Sequence, residues 1–349
     1  SLDVTLNHIL DEQGNTQGFI GFLTDITDRK ASEVRLRQLS TIVEQSASSI
    51  LITDVDGIKV GNAQDDKAWS GVTAVVPDRS AVGGVDVRGG GPGTRETEVL
   101  RPDCLVERVD AIVLSGGSVY GLEAASGAVS ALAAAGRGFE TRGIHVPIVP
   151  SAILFDLLNG GDKDWGDMPP YRAMGMEATR TASSSFDLGN VGAGYGASAG
   201  MMKGGLGSCS AVTPEGIQIG ALIAVNPVGS VLVPGTHNFW AWALEQNGEF
   251  GDFGAPELNE DLSLEAIDSG RLGENTTIGV VATNVSLTKS QAQRVSIMAQ
   301  DGYARAIRPV HTPMDGDTIF TVSTEKRELD QPEPLALARL GAIAADCVA

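Results

Sequence analysis

A hydroxyl that follows an asparagine at the start of a β-forming run can attack the carbonyl in front of it, and GENTTIGVV offers that arrangement in Asn275-Thr276-Thr277. Attack of Thr276 Oγ on the Asn275 carbonyl carbon, with an N-to-O acyl shift, gives an ester. Its hydrolysis leaves Thr276 with a free α-amine. Such an amine, with a pKa of about 7.7 to 8.0, can take the proton of the neighbouring hydroxyl near neutral pH. Read without its surroundings, the tripeptide is also compatible with two β-formers after a turn.

Three further positions have suitable chemistry. Asp315 and Asp317, in MDGDTIF, flank Gly316 just before a strand-like run, so their carboxylates could orient an ammonium group or hold a proton near a nucleophile. An Asp-Gly turn that starts a strand is the plainer reading. A phosphatase-type Asp-x-Asp-x-Thr motif would place its aspartates at the C-terminal end of a buried strand, and here they precede one. Asn226, after the run ALIAV, has a side-chain amide able to donate to an oxyanion, or it is simply the turn residue before Pro227. His8, His145, His237 and His311 form no HxxxH or HExxH pair, so no metal site is suggested; His311, near the acidic pair, reads as a structural histidine.

The elements that must position these residues follow from periodicity. Residues 110–114 (DAIVL) read as a buried strand that ends in Ser-Gly-Gly-Ser before an Ala-rich helical stretch over 119–135. Residues 216–233 are β-rich and broken at Asn226-Pro227. Residues 236–275 are polar and acidic and read as a long surface connection, a length that is uncommon unless functional or processed. After it come a strand over 277–283, a helix opened by the capping box Thr288-Lys289-Ser290-Gln291, a strand over 318–323 and an apolar helix over 335–348. The order over residues 276–349 is β-α-β-α.

Composition narrows the class. The 349 residues, 42% hydrophobic, suffice for a large α/β core. No apolar run reaches the ~18 residues of a membrane span, and the first residues lack the pattern of a signal peptide, so a soluble, cytoplasmic chain is expected. The net charge of -19 with no basic stripe argues against nucleic acid and anionic membranes as partners. Cys104, Cys209 and Cys347 are widely spaced and read as buried small side chains rather than a disulfide framework or zinc site. The 44 glycines gather in AVGGVDVRGGGPGT, in 114–127 and in GNVGAGYGASAGMMKGGLGS, yet neither a P-loop nor GxGxxG with its acidic partner is formed.

Two resemblances complete the reading. Residues 1–57 resemble the end of one PAS sensory domain, a connecting helix with Leu36, Leu39 and Val43 on one face, and the first strand of a second PAS domain; neither is complete. From about Ile52 onward the chain resembles the L-aminopeptidase/D-esterases, β-peptidyl aminopeptidases and nylon-oligomer (6-aminohexanoate oligomer) hydrolases. The resemblance rests on DVDGIKVGNAQDD, DVRGGGPGTRETEVL, IVLSGGSVYGLEAASG, GNVGAGYGASAG, MKGGLGS, ALIAVNPVG, ENTTIGVVATNV and HTPMDGDTIFTVST, in that order. The Asn-Thr-Thr and Met-Asp-Gly-Asp-Thr forms are nearest the nylon-oligomer branch.

The resemblance implies a four-layer αββα sandwich for residues 58–349, where the residues alone imply only mixed α/β. It implies self-cleavage between Asn275 and Thr276 into a large chain ending at 275 and a small chain 276–349, an amide hydrolase that needs no cofactor, and a homo-oligomer of cleaved heterodimers. It places Lys203 beside the nucleophile, makes Asn226 the oxyanion donor, brings Asp315 and Asp317 into the site and makes Tyr120 a pocket wall. An aminopeptidase specific for N-terminal residues and a non-catalytic sensory fusion built on the PAS-like segment are the alternatives, together with a chain that stays an uncleaved precursor.

Overall fold

Strands with alternating faces and helices with one apolar stripe must bury those faces on each other, and the computed structural model shows how. It describes residues 2–10, 16–25, 51–200, 202–256 and 275–349, the first two stretches as backbone only. The chain divides into two units, Ser1–Ala47 and Ser48–Ala349. In the first, Leu2–Leu10 and Thr16–Asp25 pair antiparallel. The linker helix expected over 29–49 lies outside the described residues.

The second unit contains, in chain order, β1 (Ile58–Asp65), β2 (Ser70–Pro77), β3 (Ala81–Val87), β4 (Ile112–Ser115), α1 (Glu123–Ala134), β5 (Ser151–Ile153), α2 (Tyr171–Arg180), β6 (Gly205–Val212), β7 (Gln218–Val225), β8 (Ile278–Val285), α3 (Lys289–Ala306), β9 (Thr318–Arg327) and α4 (Glu333–Val348). One sheet has the order β1-β2-β4-β5 and ends on the short strand Thr94–Arg95. The other runs β6-β7-β8-β9-β3 and ends on Arg108–Val109. Only β8 and β9 pair parallel in this second sheet, joined by α3, because a parallel pair needs a crossover while the hairpin β6-β7 does not.

Alternation along each strand makes the layers. On β7, Leu222 and Ala224 enter the core between the sheets, while Ile219, Ala221 and Ile223 face α3 and α4. On β8, Ile278, Val280 and Ala282 point inward and Val281 and Val285 outward. From the other sheet, Val75, Ile112 and Leu114 meet the same inner core, and Val72, Ala74 and Val113 pack under α1 and α2. The result is the four-layer αββα sandwich that the resemblance implied. The capping box forms as the spacing predicts, Thr288 Oγ1 accepting from Gln291 N at 3.3 Å and Gln291 Oε1 accepting from Thr288 N at 2.7 Å.

Three local readings change. The unit already takes in Ile52 and Val55, which are buried between the sheets, Ile52 N donating to Ser208 Oγ at 2.8 Å. The connection before Asn275 is partly packed: the rings of Phe239 and Phe250 lie 5.2 Å apart and Arg308 sits over Trp240; residues 257–274 lie outside the described residues. Of the three free cysteines, Cys347 is buried while Cys104, in a loop, and Cys209, on the edge strand β6, are only partly so. Among the described residues no helix is long and apolar enough to cross a membrane.

The outer pair α1 and α2 tests this packing. A Cβ at Gly175 would stand 2.1 Å from Ala124 O, and one at Gly127 would stand 2.0 Å from Arg172 O. Alanine for glycine inside an exposed helix gains roughly 1 kcal/mol. Here the clash with backbone reverses the sign, and Gly175→Ala is expected to cost about 1–3 kcal/mol. A lower urea midpoint at unchanged m-value is the expected outcome.

Candidate active site

Strand register brings the candidate residues to one end of the second sheet. Ala224 of β7 pairs with Ile278 of β8, which pairs in turn with Thr318 of β9. Two residues further toward that end, Asn226, Thr276 and Gly316 therefore fall in one row. Thr276 N donates to Asn226 O at 2.6 Å, and Thr318 N to Thr277 O at 3.1 Å. Because Gly205 of β6 pairs with Val225, Lys203 reaches the same end from the neighbouring strand.

Thr276 is buried. Its Oγ1 accepts from Gly316 N at 3.0 Å and donates to the carbonyl oxygen of Asn275. The hydroxyl therefore lies against the peptide that it would have to attack, with a backbone N–H on the oxygen that would carry developing charge. Gly316 is required there by contact, since a Cβ would stand 2.8 Å from Thr276 Oγ1 and 2.9 Å from Gly91 O. The glycines of RGGGPGT form the wall behind this turn: Gly91 N donates to Asp315 O at 2.8 Å and Gly89 N to Asp317 O at 3.3 Å.

Both acidic side chains are buried, and they serve the walls of the site. Asp315 Oδ1 accepts from Val228 N at 3.1 Å, and its Oδ2 accepts from Thr312 N at 3.0 Å and Thr312 Oγ1 at 2.6 Å. Burial, and after it the charge of Asp317, raises the Asp315 carboxyl above its ordinary value. Asp317 Oδ1 accepts from Thr277 N at 2.8 Å, and Oδ2 from His311 N at 3.0 Å with His311 Nδ1 at 2.8 Å. Among the described contacts, this turn reaches the Thr276 hydroxyl through Gly316 N rather than through either carboxylate. His311, set aside in the sequence, is the side chain on Asp317; the spacing of six residues in HTPMDGD was the available signal.

Asn226 is buried and fixed through its side chain, Oδ1 accepting from Ser198 N at 2.8 Å and Nδ2 donating to Phe155 O at 3.1 Å. Lys203 Nζ donates to Tyr195 O at 2.6 Å and Ala197 O at 3.0 Å, so its described bonds are to backbone carbonyls and not to Thr276. Burial lowers the Lys203 pKa, opposed by the charge of Asp156. Lys203, Ser198 and Phe155 line a cavity of about 640 Å³. Asp156, on the same cavity, is buried and accepts from Ser70 Oγ at 2.6 Å and Gly117 N at 2.7 Å; burial raises its pKa. Sequence reading missed it, although an acid inside the apolar run ILFDLL was visible. Tyr120 has a half-exposed ring that meets Trp165 edge-on at 5.5 Å, and like Thr276 and Asn226 it is not among the residues lining this cavity. Among the described residues, no three His, Cys, Asp or Glu side chains group as metal ligands would.

The model of peptidase family S58 matches residues 51–349. An uncharacterized aminopeptidase of Mycobacterium tuberculosis is 42% identical over 320 residues, covering 85% of this chain and 91% of that protein. A 6-aminohexanoate-oligomer endohydrolase of Agromyces sp. is 28% identical, covering 83% of this chain and 79% of its own. The solved L-aminopeptidase D-Ala-esterase/amidase of Ochrobactrum anthropi superposes with a TM-score of 0.57 at 20% identity, covering 90% of this chain and 89% of that one. That structure is described as a variant of the Ntn-hydrolase fold, and the likeness carries the fold.

Two measurements test the acidic pair. Asp317→Asn can accept on one oxygen only, so its amide opposes either Thr277 N–H or a His311 donor; a loss of about 1–3 kcal/mol in urea unfolding is expected. Asp315 holds its proton to higher pH folded than unfolded. Stability from this group is thus highest when the carboxyl is protonated and falls as pH rises from its ordinary 3.8 through the raised folded value. Asp315→Asn is expected to flatten that fall in urea midpoints measured across the acid range, even if it lowers them overall.

Proposed function

The chain belongs to peptidase family S58, and from that premise we propose that it is a self-cleaving amide hydrolase whose N-terminal nucleophile, Thr276, is released by scission after Asn275. The observation that carries this reading is the Thr276 hydroxyl, which donates to its own preceding carbonyl while its Oγ1 accepts from Gly316 N–H. Attack of Oγ1 on the Asn275 carbonyl carbon closes a five-membered ring, the C–N bond breaks as the nitrogen takes a proton, and water hydrolyses the ester. The products are a large chain ending at Asn275 and a small chain 276–349. The PAS-like reading of the leading residues is proposed with it, with the hydrolase domain taking in Ile52 and Val55 rather than starting at residue 58.

In the cleaved enzyme the α-amine of Thr276, already beside Asn226 O, acts as general base. Oγ1 attacks a substrate amide, the amine carries the proton to the leaving nitrogen, and water releases the acid from the ester. Gly316 N–H favours the developing charge on Oγ1 before attack. The Asn226 amide, fixed on Ser198 and Phe155, is the proposed oxyanion donor. Lys203 adds positive charge at the same sheet end, and Asp317 orients the Thr277 backbone next to the nucleophile. The proposed substrates are oligoamides or small peptides, including 6-aminohexanoate oligomers and β- or D-amino-acid amides; relatives named aminopeptidase and oligomer endohydrolase support both exo and endo cleavage. The proposed assembly is a homo-oligomer of cleaved heterodimers.

A denaturing gel tests the proposal. The wild-type chain is expected to resolve into two bands, with the smaller starting Thr-Thr-Ile-Gly on N-terminal sequencing. Thr276→Ala stays one band and loses amide hydrolysis by at least about a thousandfold, as removal of a nucleophile does; Thr276→Ser restores both. An intact, active Thr276→Ala chain would overturn the proposal.

A further inference from the structure

Among the large side chains around the cavity, Trp69 is held in the costliest way. It lies in the turn between β1 and β2 with φ of 49°, a left-handed conformation that a bulky residue rarely adopts. The surroundings lock it there. Trp69 O accepts from Asn159 Nδ2 at 2.6 Å, and Lys67 N and Ala68 N donate to Asp65 Oδ1 at 2.8 and 2.9 Å. Lys163 Nζ donates to Ala68 O and to Asn159 Oδ1, tying the loop after β5 to the turn. A Cβ at Gly196 would stand 2.3 Å from Trp69 O, so the chain segment that carries the Lys203 acceptors presses directly on this backbone. Strain kept by so many contacts is a mark of a functional position.

What the strain achieves is an indole that is 48% exposed on a cavity wall, where Phe155, Leu158 and Met202 continue the apolar surface. Leu158 and Met202 are also well exposed, so several large apolar side chains of this wall face solvent, beside polar lining from Asn159, Asn190 and Lys203. Buried Asn226 ties the cavity wall to the candidate active site: its side chain bonds the cavity residues Phe155 and Ser198, and its carbonyl accepts from Thr276 N.

We infer that Trp69 is a specificity-determining residue, forming with Phe155 and Leu158 a subsite for an unbranched aliphatic segment of the substrate beside the scissile amide. The inference rests on the reading of Thr276 as nucleophile. An α-peptide brings an N–H and a C=O at every residue, and each needs a partner when it leaves water. A run of methylenes between widely spaced amides needs apolar wall instead, and the indole supplies a broad face at low conformational cost. Lys203 has three donors and spends two on Tyr195 and Ala197, so one remains for a substrate carbonyl at the same cavity.

Competition by linear 6-aminohexanoate dimer, and by dialanine as the comparison, against hydrolysis of a chromogenic amide by the cleaved wild-type enzyme gives the affinity of the subsite for each. The wild type is expected to prefer the aliphatic dimer; Trp69→Gly, which relieves the left-handed strain, weakens that binding about tenfold and removes most of the preference, and Trp69→Phe restores it to within about threefold. Should the glycine variant fail to fold by circular dichroism, Trp69→Asn, also compatible with this backbone, gives the same reading. The same substitutions are expected to raise KM for 6-aminohexanoate oligomers with kcat little changed. Equal affinities with and without the indole, or a wild type that binds neither probe or shows no preference, would overturn the inference. Failure of the nucleophile reading shows separately, as an uncleaved wild-type chain.

Discussion

The site depends on one register. β8 and β9 are parallel, Ile278 opposite Thr318, and β7 runs antiparallel beside them with Ala224 opposite Ile278. A shift of one residue in either pairing would turn the side chains of a strand to the other face and would take Gly316 N off the Thr276 hydroxyl. That register is held by the burial of both faces of β8, whose residues are apolar toward the opposing sheet and toward α3 and α4 alike. The core thus does more than stabilise the chain: it fixes, to within a hydrogen bond, the distance between two turns that lie forty residues apart.

Close backbone contact is the second condition. Gly316 sits against Thr276 Oγ1, and Gly89 and Gly91 sit against the carbonyls of Asp317 and Asp315. The peptide groups themselves are the contact surface here, with the carboxylates turned to brace the surrounding backbone at Val228, Thr312, Thr277 and His311. This division follows from chemistry. A carboxylate at hydrogen-bond distance from the Thr276 hydroxyl would favour proton removal but would also repel developing negative charge, whereas a backbone N–H only stabilises it.

Much of this was legible in the sequence. The β-α-β-α order over residues 276–349 was readable because two short β-forming runs, a capping box and an apolar helix all pointed the same way. That Asn275-Thr276 and Asp315-Gly316-Asp317 each precede a strand was equally plain, although which strands pair, and in what register, depends on contacts that periodicity does not encode. Lys203 could be named by resemblance, but its described bonds to the Tyr195 and Ala197 carbonyls are tertiary facts. Asp156 and His311 went unused for the same reason: an isolated acid in an apolar run and a histidine six residues from an aspartate acquire meaning only from Ser70, Gly117 and Asp317 beside them. Trp69 is not singled out by the sequence because a left-handed φ leaves no trace in composition.

On the proposed route, cleavage changes the electrostatics of its own site. Thr276 N turns from a peptide N–H into an amine at the same place, next to Asn226 O and adjoining the Thr277 N–H that Asp317 holds. In the uncleaved chain burial raises Asp315 and lowers Lys203, so desolvation pushes both toward neutrality. An added ammonium would favour ionised Asp315 and would further disfavour charge on Lys203, while the nearby carboxylates would keep the amine protonated to higher pH than a free terminus. The amine has to be neutral to accept a proton from the Thr276 hydroxyl, so positive charge from Lys203 and negative charge from the acidic pair pull its pKa in opposite directions. The balance between them, set by how deeply each is buried, decides whether the released amine serves as a base near neutral pH.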